Sequence, residues 1–326
     1  PANLPPQYHE ADKRFRAAKD VDDKIAALQE MLGIMPHHKG TDKLQASLRA
    51  RIAKLSQESE RKLATARRAG FYIRQEGAGQ VVFAGPANTG KSQLLAALTD
   101  ASPEIGMYPY TTQTPLPGMM AYRDIQIQLV DTPPLGHRNV RILLSSVLRV
   151  ADLIALVVDL GVEPLSQVEY TLSELADSHI VPPGTEIPEG ASEGTYERKM
   201  AIIGNKSDLP GAMGHLRMLQ QRYQGRMPVA GVSALEREGL DELAAMLYDA
   251  LQIIRVYTKA PGQKADLSEP VILKRAATIG AAAAAIHKDF KREPKYAVVW
   301  GSGRFQGQTV SKSHVLQDGD VVEFHV

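Results

Sequence analysis

The segment Gly85-Pro-Ala-Asn-Thr-Gly-Lys-Ser92 sets two glycines five positions apart and ends in a lysine and a hydroxyl. Glycines at that spacing let backbone N–H groups curl around phosphate oxygens. Gly90 allows the chain a close approach to the anion. Lys91 is placed to reach the β- and γ-phosphates and to carry the catalytic charge there. Ser92 offers a hydroxyl to Mg²⁺, and the helix that begins here points its positive end at the same charge. Asn88, Thr89, Gly90, Lys91, Ser92 and Gln93 are therefore the stretch expected to contact a nucleotide. The motif gains specificity from its place between the apolar run Val81-Val-Phe-Ala84 and the helical run Ser92-Gln-Leu-Leu-Ala-Ala-Leu98.

About 115 residues later, Asn205-Lys-Ser-Asp208 follows an apolar strand pattern. A carboxylate at Asp208 can accept hydrogen bonds from guanine N1–H and the exocyclic amine. Adenine has neither donor and would leave a buried carboxylate unpaired, at about 1–3 kcal/mol. Asn205 is expected to tie this loop to the phosphate loop, and the Lys206 stem to lie over the base. Ser233 and Ala234, after the next strand, can offer backbone N–H groups to guanine O6. GTP and GDP are the expected ligands.

Two segments lie between these anchors. Asp131 ends the alternating strand Ile125-Gln-Ile-Gln-Leu129 and can hold Mg²⁺ through water. Tyr108-Pro-Tyr-Thr-Thr-Gln-Thr-Pro115 supplies Thr111, Thr112 and Thr114 as candidates for the metal and the γ-phosphate. Such segments order around a triphosphate and relax after hydrolysis.

The elements that position these residues follow from periodicity. Residues 8 to about 78 read as an antiparallel helical hairpin, with Ile25, Leu28 and Leu32 on one face and Leu44, Leu48, Ile52 and Leu55 on another. Pro36 and Gly40 interrupt it, and Thr41 can cap the second helix. His37 and His38 in that turn read as surface residues rather than metal ligands. From Gln80, strands alternate with helices, the pattern of a mainly parallel, doubly wound α/β sheet. Strands are expected at 153–159, 200–204 and 228–232, helices at 166–177 and 237–255, and a loop or insertion at 178–198. Beyond Arg255, strands at 271–273 and 296–300, an alanine-rich helix from Thr278 to Phe290, and a last strand ending near Phe324 read as a small α+β module. The expected domains are 1–78, 79–253 and 254–326.

The bulk numbers exclude more than they specify. The chain has 326 residues, no cysteine and a net charge of +1. Disulfide scaffolds and thiolate metal sites are thereby ruled out. No stretch nears the ~20 apolar residues of a membrane span, and Pro-Ala-Asn-Leu-Pro-Pro lacks signal-peptide character. A cytoplasmic location with no membrane partner is expected. Lys and Arg exceed Asp and Glu by 15 to 10 in residues 1–78 and by 11 to 7 in 253–326, whereas 79–252 hold 12 against 20. Basic flanks around an acidic centre suggest that the flanks meet a polyanion.

The phosphate loop with Asn88, together with Tyr108–Pro115, Asp131-Thr-Pro-Pro134, Gly204-Asn-Lys-Ser-Asp208 and Gly231-Val-Ser-Ala-Leu235, resembles the Obg-related GTPases of the TRAFAC class. The likeness is strongest to the DRG branch, which carries a C-terminal TGS domain. Ile254–Gly262, Lys295–Gly301 and His314–Val322 are similar to the ubiquitin-like β-grasp of that domain. The resemblance implies that Thr112 is the Mg²⁺ threonine and a catalytic residue, and that Asn88 helps hold a K⁺ ion. It further implies GTP hydrolysis as a conformational switch, with the ribosome or rRNA reached through the basic flanks and the TGS module, and a regulatory protein as a further partner. One departure stands out. The family's DxPG ends in Pro134 here, which removes an N–H, and Leu135 occupies the position of a water-orienting glutamine. Slow intrinsic turnover follows. A nucleotide-regulated binding module with negligible hydrolysis, and a small-ligand sensor acting through the TGS module, are the competing readings.

Overall fold

The structure, a computed structural model, describes residues 5–18, 21–35, 41–69, 71–99, 114–136, 138–186, 194–286 and 296–325. It divides into two compact units, Pro1–Gly70 and Phe71–Val326.

The first unit contains three helices among the described residues, where the sequence suggests a two-helix hairpin. They are α1 (Pro6–Ala17), α2 (Val21–Ile34) and α3 (Asp42–Ala69). The extra break falls at Ala18, whose backbone turns extended. No proline or glycine marks that point, so periodicity runs through it. Tyr8 and Ala11 join Leu28, Met31, Met35 and Leu48 in the unit's core. Leu32, Leu44, Ile52 and Leu55 pack against it, on the faces that their spacing predicts. Arg14 pairs with Glu30 at 2.6 Å, and the Arg51 guanidinium lies 5.0 Å over the Phe15 ring. His37 and His38 lie outside the described residues. The helix ends at Ala69, not near 78: beyond it the sequence turns aromatic and β-branched in Phe71-Tyr-Ile73.

In the second unit, Phe71 and Ile73 run irregularly against the core of the sheet domain. The elements then follow as β1 (Gln80–Ala84), α4 (Lys91–Leu98), β2 (Leu116–Tyr122), β3 (Ile125–Asp131), α5 (Arg138–Val150), β4 (Leu153–Asp159) and α6 (Pro164–Ala176). After them come β5 (Ile180–Val181), β6 (Tyr196–Glu197), β7 (Met200–Asn205), α7 (Ala212–Tyr223), β8 (Val229–Gly231) and α8 (Leu240–Leu251). The six-stranded sheet has the order β2-β3-β1-β4-β7-β8, parallel except for β2 against β3. Alternation along buried strands supplies both cores. Val81 and Phe83 of β1 enter one, and Val82 and Ala84 enter the other. Burying each of the valine and phenylalanine side chains contributes about 1.5–3 kcal/mol. The segment 178–198, expected as a loop, contains the short parallel pair β5 and β6.

The sequence did not suggest β2, because Pro117 and Gly118 interrupt its pattern. As an edge strand it tolerates both. The expected helix 237–255 is shorter. It ends at Leu251, Gln252 takes a left-handed φ of 54°, and Ile253 already begins a strand.

The C-terminal module comprises β9 (Ile253–Thr258), β10 (Asp266–Lys274), α9 (Ile279–Ile286), β11 (Tyr296–Trp300), β12 (Gln308–Val310) and β13 (Asp320–His325). Its sheet order is β10-β9-β13-β11-β12, with β9 and β13 parallel and the other pairs antiparallel. Ile279 and Ala282 of α9 pack on Val256, Val299 and Val322. One helix on a mixed five-stranded sheet is the β-grasp arrangement that the tail motifs suggest. Thr278 caps α9, its Oγ1 accepting from Ala281 N–H at 3.3 Å. The expected continuation to Phe290 lies outside the described residues.

Candidate functional site

The C-terminal ends of β1, β3, β4 and β7, with the loop after β8, converge on one edge of the sheet. Ligands of open α/β sheets bind at that edge. The loop leaving β1 needs its glycines for packing as well as for approach to an anion. A Cβ on Gly85 would stand 2.4 Å from the Val157 carbonyl oxygen, and one on Gly90 would stand 2.3 Å from Asn205 Nδ2. Asn88, exposed, holds a left-handed φ of 64°, which asparagine tolerates better than most residues.

Lys91 opens α4 and is only 6% exposed. Its ammonium donates to the carbonyls of Gly85 at 3.1 Å and Pro86 at 2.7 Å. Burial pushes its pKa down to about 8, with the Asp131 carboxylate pulling the other way. One residue on, Ser92 Oγ donates to Asp131 Oδ2 at 2.5 Å. Asp131 is 1% exposed at the end of β3. A hydroxyl and a carboxylate in contact at a phosphate loop are hard oxygen donors, and they suit Mg²⁺ that takes its remaining ligands from phosphate and water. Among the described residues no cluster of three or more His, Asp or Glu side chains forms an all-protein metal cage. Thr112, with Thr111, lies outside the described residues, and Thr114 stands exposed just before β2.

Asn205, 1% exposed, ties two loops as the sequence suggests. Its Nδ2 donates to Thr89 O at 2.9 Å, and its Oδ1 accepts from Ala234 N–H at 3.0 Å. The N–H groups expected to meet guanine O6 both have partners within the protein. Ser233 N–H already donates to Glu238 O at 3.1 Å, and Ser233 Oγ accepts from Glu236 N–H at 3.0 Å. The Ala234 N–H is thus directed at Asn205 in this structure. Asp208 is exposed rather than buried, so the penalty for an unmatched base arises from desolvation on binding. Thr89 is buried and bonds Pro86 O at 3.3 Å, while Gln93 is half-buried on the first turn of α4.

Lys206 is held more firmly than its sequence motif suggests. Its ammonium bonds Asn88 O at 2.9 Å and pairs with Asp159 Oδ2 at 2.5 Å. Asp159 went unnoticed in the sequence because it looks like the polar end of an apolar strand. It also accepts from Gly161 N–H at 2.7 Å, which fixes its carboxylate.

Leu135 is 4% exposed, packed into the same core as Leu144, Val147 and Leu160. Its N–H donates to Gly85 O at 3.3 Å, and its carbonyl accepts from the Tyr170 hydroxyl at 3.2 Å. The side chain at the position of a water-orienting glutamine thus points into the protein.

Residues 80–183 match the family described as 50S ribosome-binding GTPase, and residues 254–326 match the TGS domain. An uncharacterized GTP-binding protein of Methanocaldococcus jannaschii is 29% identical, with 93% of this chain and 92% of that protein covered. Developmentally-regulated GTP-binding protein 1 of Xenopus laevis is 27% identical, covering 92% and 97%. Developmentally-regulated GTP-binding protein 2 of Mus musculus is 25% identical, covering 92% and 98%. The chain thus joins a GTPase-family segment to a TGS domain and is similar to the DRG-type GTP-binding proteins over more than nine-tenths of its length. A solved G domain, that of FeoB from Methanococcus jannaschii, is also similar, at 18% identity and a TM-score of 0.39 over 53% of this chain and 97% of that one. The phosphate loop, the loop at Asn205–Asp208 and the Asp131 segment are interlocked by Asn205, Lys206 and the Ser92–Asp131 contact. The described helices include none long and apolar enough to cross a membrane.

Proposed function

We propose that this protein hydrolyses GTP to GDP and phosphate as a slow conformational switch that works on the ribosome in the cytoplasm. The observation that carries the chemistry is the convergence of Lys91, Ser92 and Asp131 on one loop while Asn205 ties that loop to the base reader. Bound Mg²⁺ would supply charge neutralisation and orientation of the phosphates, with Ser92 and Asp131 on the metal side. Lys91 brings a positive charge to the β- and γ-phosphate oxygens, where negative charge gathers as water adds to the γ-phosphorus and the bond to the β-phosphate oxygen breaks. The burial of Leu135 leaves water without a side-chain orienter from that position, so the intrinsic rate is low. Asn88, exposed on the phosphate loop, is the residue that would hold K⁺ and let a monovalent cation assist. Single-turnover hydrolysis should therefore be faster in KCl than in NaCl. Rates equal in the two salts would remove the K⁺ role, and no phosphate release in either would favour the competing reading of a nucleotide-regulated binding module, which the buried Leu135 motivates.

The ribosomal role is supported by the basic flanks, by the family description over residues 80–183 and by the TGS match. Co-sedimentation with ribosomes should depend on whether GDP, a GTP analogue or neither is present. If rRNA is the contact, affinity should fall steeply with added salt through counterion release. Salt-insensitive binding, or none in any nucleotide state, would count against the ribosome.

A further inference from the structure

The β2–β3 hairpin joins the two segments expected to respond to the nucleotide. Its first strand begins at Leu116, directly after Tyr108–Pro115, and its second ends at Asp131. The two strands pair without a break from Leu116↔Asp131 to Tyr122↔Ile125. A ladder of that length is stiff, so a shift at the nucleotide end requires movement at the turn, Arg123-Asp124. That turn is not free. Arg123 donates to Asp318 Oδ2 at 3.0 Å, and its guanidinium lies 5.3 Å over Tyr122 and 5.4 Å over Tyr248. Asp124 accepts from Arg255 Nη1 and from the Tyr257 hydroxyl.

Asp318 belongs to the C-terminal module and is the centre of the node. It accepts from Arg255 Nε at 3.1 Å, Arg255 Nη2 at 2.8 Å, Arg255 N–H at 2.8 Å and the Tyr248 hydroxyl at 2.6 Å. Two carboxylates, two guanidiniums and three tyrosines thus join the hairpin turn, α8 and the β-grasp sheet. The Arg255 side chain is only 13% exposed, so these charges are partly shielded from water. Partly buried, fork-shaped pairs of this kind are far less tolerant of displacement than surface ion pairs.

We infer that Asp318, through Arg255, Arg123 and Asp124, is a positioning residue for the nucleotide site, by which the TGS module restrains the hairpin between the two nucleotide-responsive segments. Any partner that pulls on the module then acts on nucleotide preference, and the bound nucleotide acts back on the module by the same factor. The inference rests on the nucleotide-switch reading. A purely structural docking contact between the two domains would alter stability without altering preference.

The test is the ratio of affinities for a GTP analogue and GDP, measured with fluorescent nucleotides on the full chain. Arg123→Gln and Asp124→Asn lie in an exposed turn and should leave a folded protein, verified by circular dichroism and thermal melts. Each should shift the ratio by about fivefold or more, the low end of ordinary coupling. Asp318→Asn should shift it in the same direction. The Arg123→Gln/Asp318→Asn double variant should show less than the product of the single effects, since both act through one node. Thr309→Ala, exposed on the far edge strand β12, should leave the ratio unchanged. Folded Arg123→Gln and Asp124→Asn variants with ratios within twofold of wild type would overturn the inference alone, as would single effects that multiply independently. Wild-type protein that binds neither nucleotide would overturn the nucleotide reading and this inference with it.

Discussion

The Lys91 ammonium sits buried with two backbone carbonyls as its acceptors. Its pKa of about 8 in the fold compares with 10.5 in an unfolded chain. The folded protein therefore binds fewer protons than the unfolded one between these values. Stability rises with pH across that window, and the burial penalty is complete below pH 8. The gap corresponds to roughly 3 kcal/mol. Lys91→Met should stabilise the nucleotide-free protein by about 1–2 kcal/mol at pH 7, part of the gain being offset by the lost hydrogen bonds. It should also flatten the rise between pH 8 and 10. Urea melts at pH 7 and 9.5 check both, and a destabilised variant at pH 7 would contradict this account. Asp159 offers a second case. Asp159→Asn weakens the hold on Lys206 and should reduce GDP affinity by up to about 10- to 150-fold, the value of one charged hydrogen bond, as titration calorimetry would show. Lys91, Ser92, Asn205 and Asp208 were legible because their motif fixes spacing along the chain. Asp159 was not, because its partner lies 47 positions away and only the parallel pairing of β4 with β7 brings the two together.

Among the elements, those that failed to show in the sequence did so for identifiable reasons. The edge strand β2 carries Pro117 and Gly118, the two residues that most strongly mark an interruption. The break between α1 and α2 carries neither. The end of α8 was hidden for a different reason: Gln252 takes a conformation that glycine usually marks, and the apolar pair Ile253-Ile254 carries the helical pattern onward. That last case is testable. Gln252 N–H bonds Asp249 O and its carbonyl accepts from Arg275 N–H, and neither bond uses the Gln252 side chain. Gln252→Gly keeps both bonds and removes the Cβ strain of the left-handed region. It should raise stability by about 0.5–1 kcal/mol after the entropy of the added glycine is counted. Thermal melts showing a lower midpoint would refute this. The parallel strands β1, β4 and β7 needed no such correction, because continuous apolar runs ending in Ala84, Asp159 and Asn205 are what a sheet covered on both faces demands.

At the scale of the whole chain, the charge blocks break near 78 and 252, whereas the compact units divide at 70 alone. The helical region was expected to reach 78, yet Phe71 and Ile73 pack with the sheet domain, Gln75 Nε2 donates to Val150 O at 2.7 Å, and Ser146 Oγ donates to Phe71 O at 2.8 Å. A fragment of residues 71–326 should therefore melt cooperatively and bind GDP within about threefold of the full chain. One of residues 79–326 should be less stable by about 1–3 kcal/mol, the value of the half-buried Phe71 and Ile73 side chains. Denaturant titration of the two fragments decides it, and equal midpoints would place the boundary near 79 instead. This segment escaped sequence reading because the eight residues 71–78 carry no helical period to count.

On the proposed reading of a GTP-driven switch, Leu135 would set how the molecule keeps time. An enzyme whose glutamine swings in and out of reach can shorten or lengthen its active lifetime by a small internal motion. Here the corresponding side chain is sealed in the core beneath the phosphate loop, so on the proposed switch reading the chain would carry a clock without its own regulator. The duration of its GTP-bound period would then be dictated by whatever it docks on, and a mutation inside the protein that merely loosened this segment would spoil the fold before it quickened the clock.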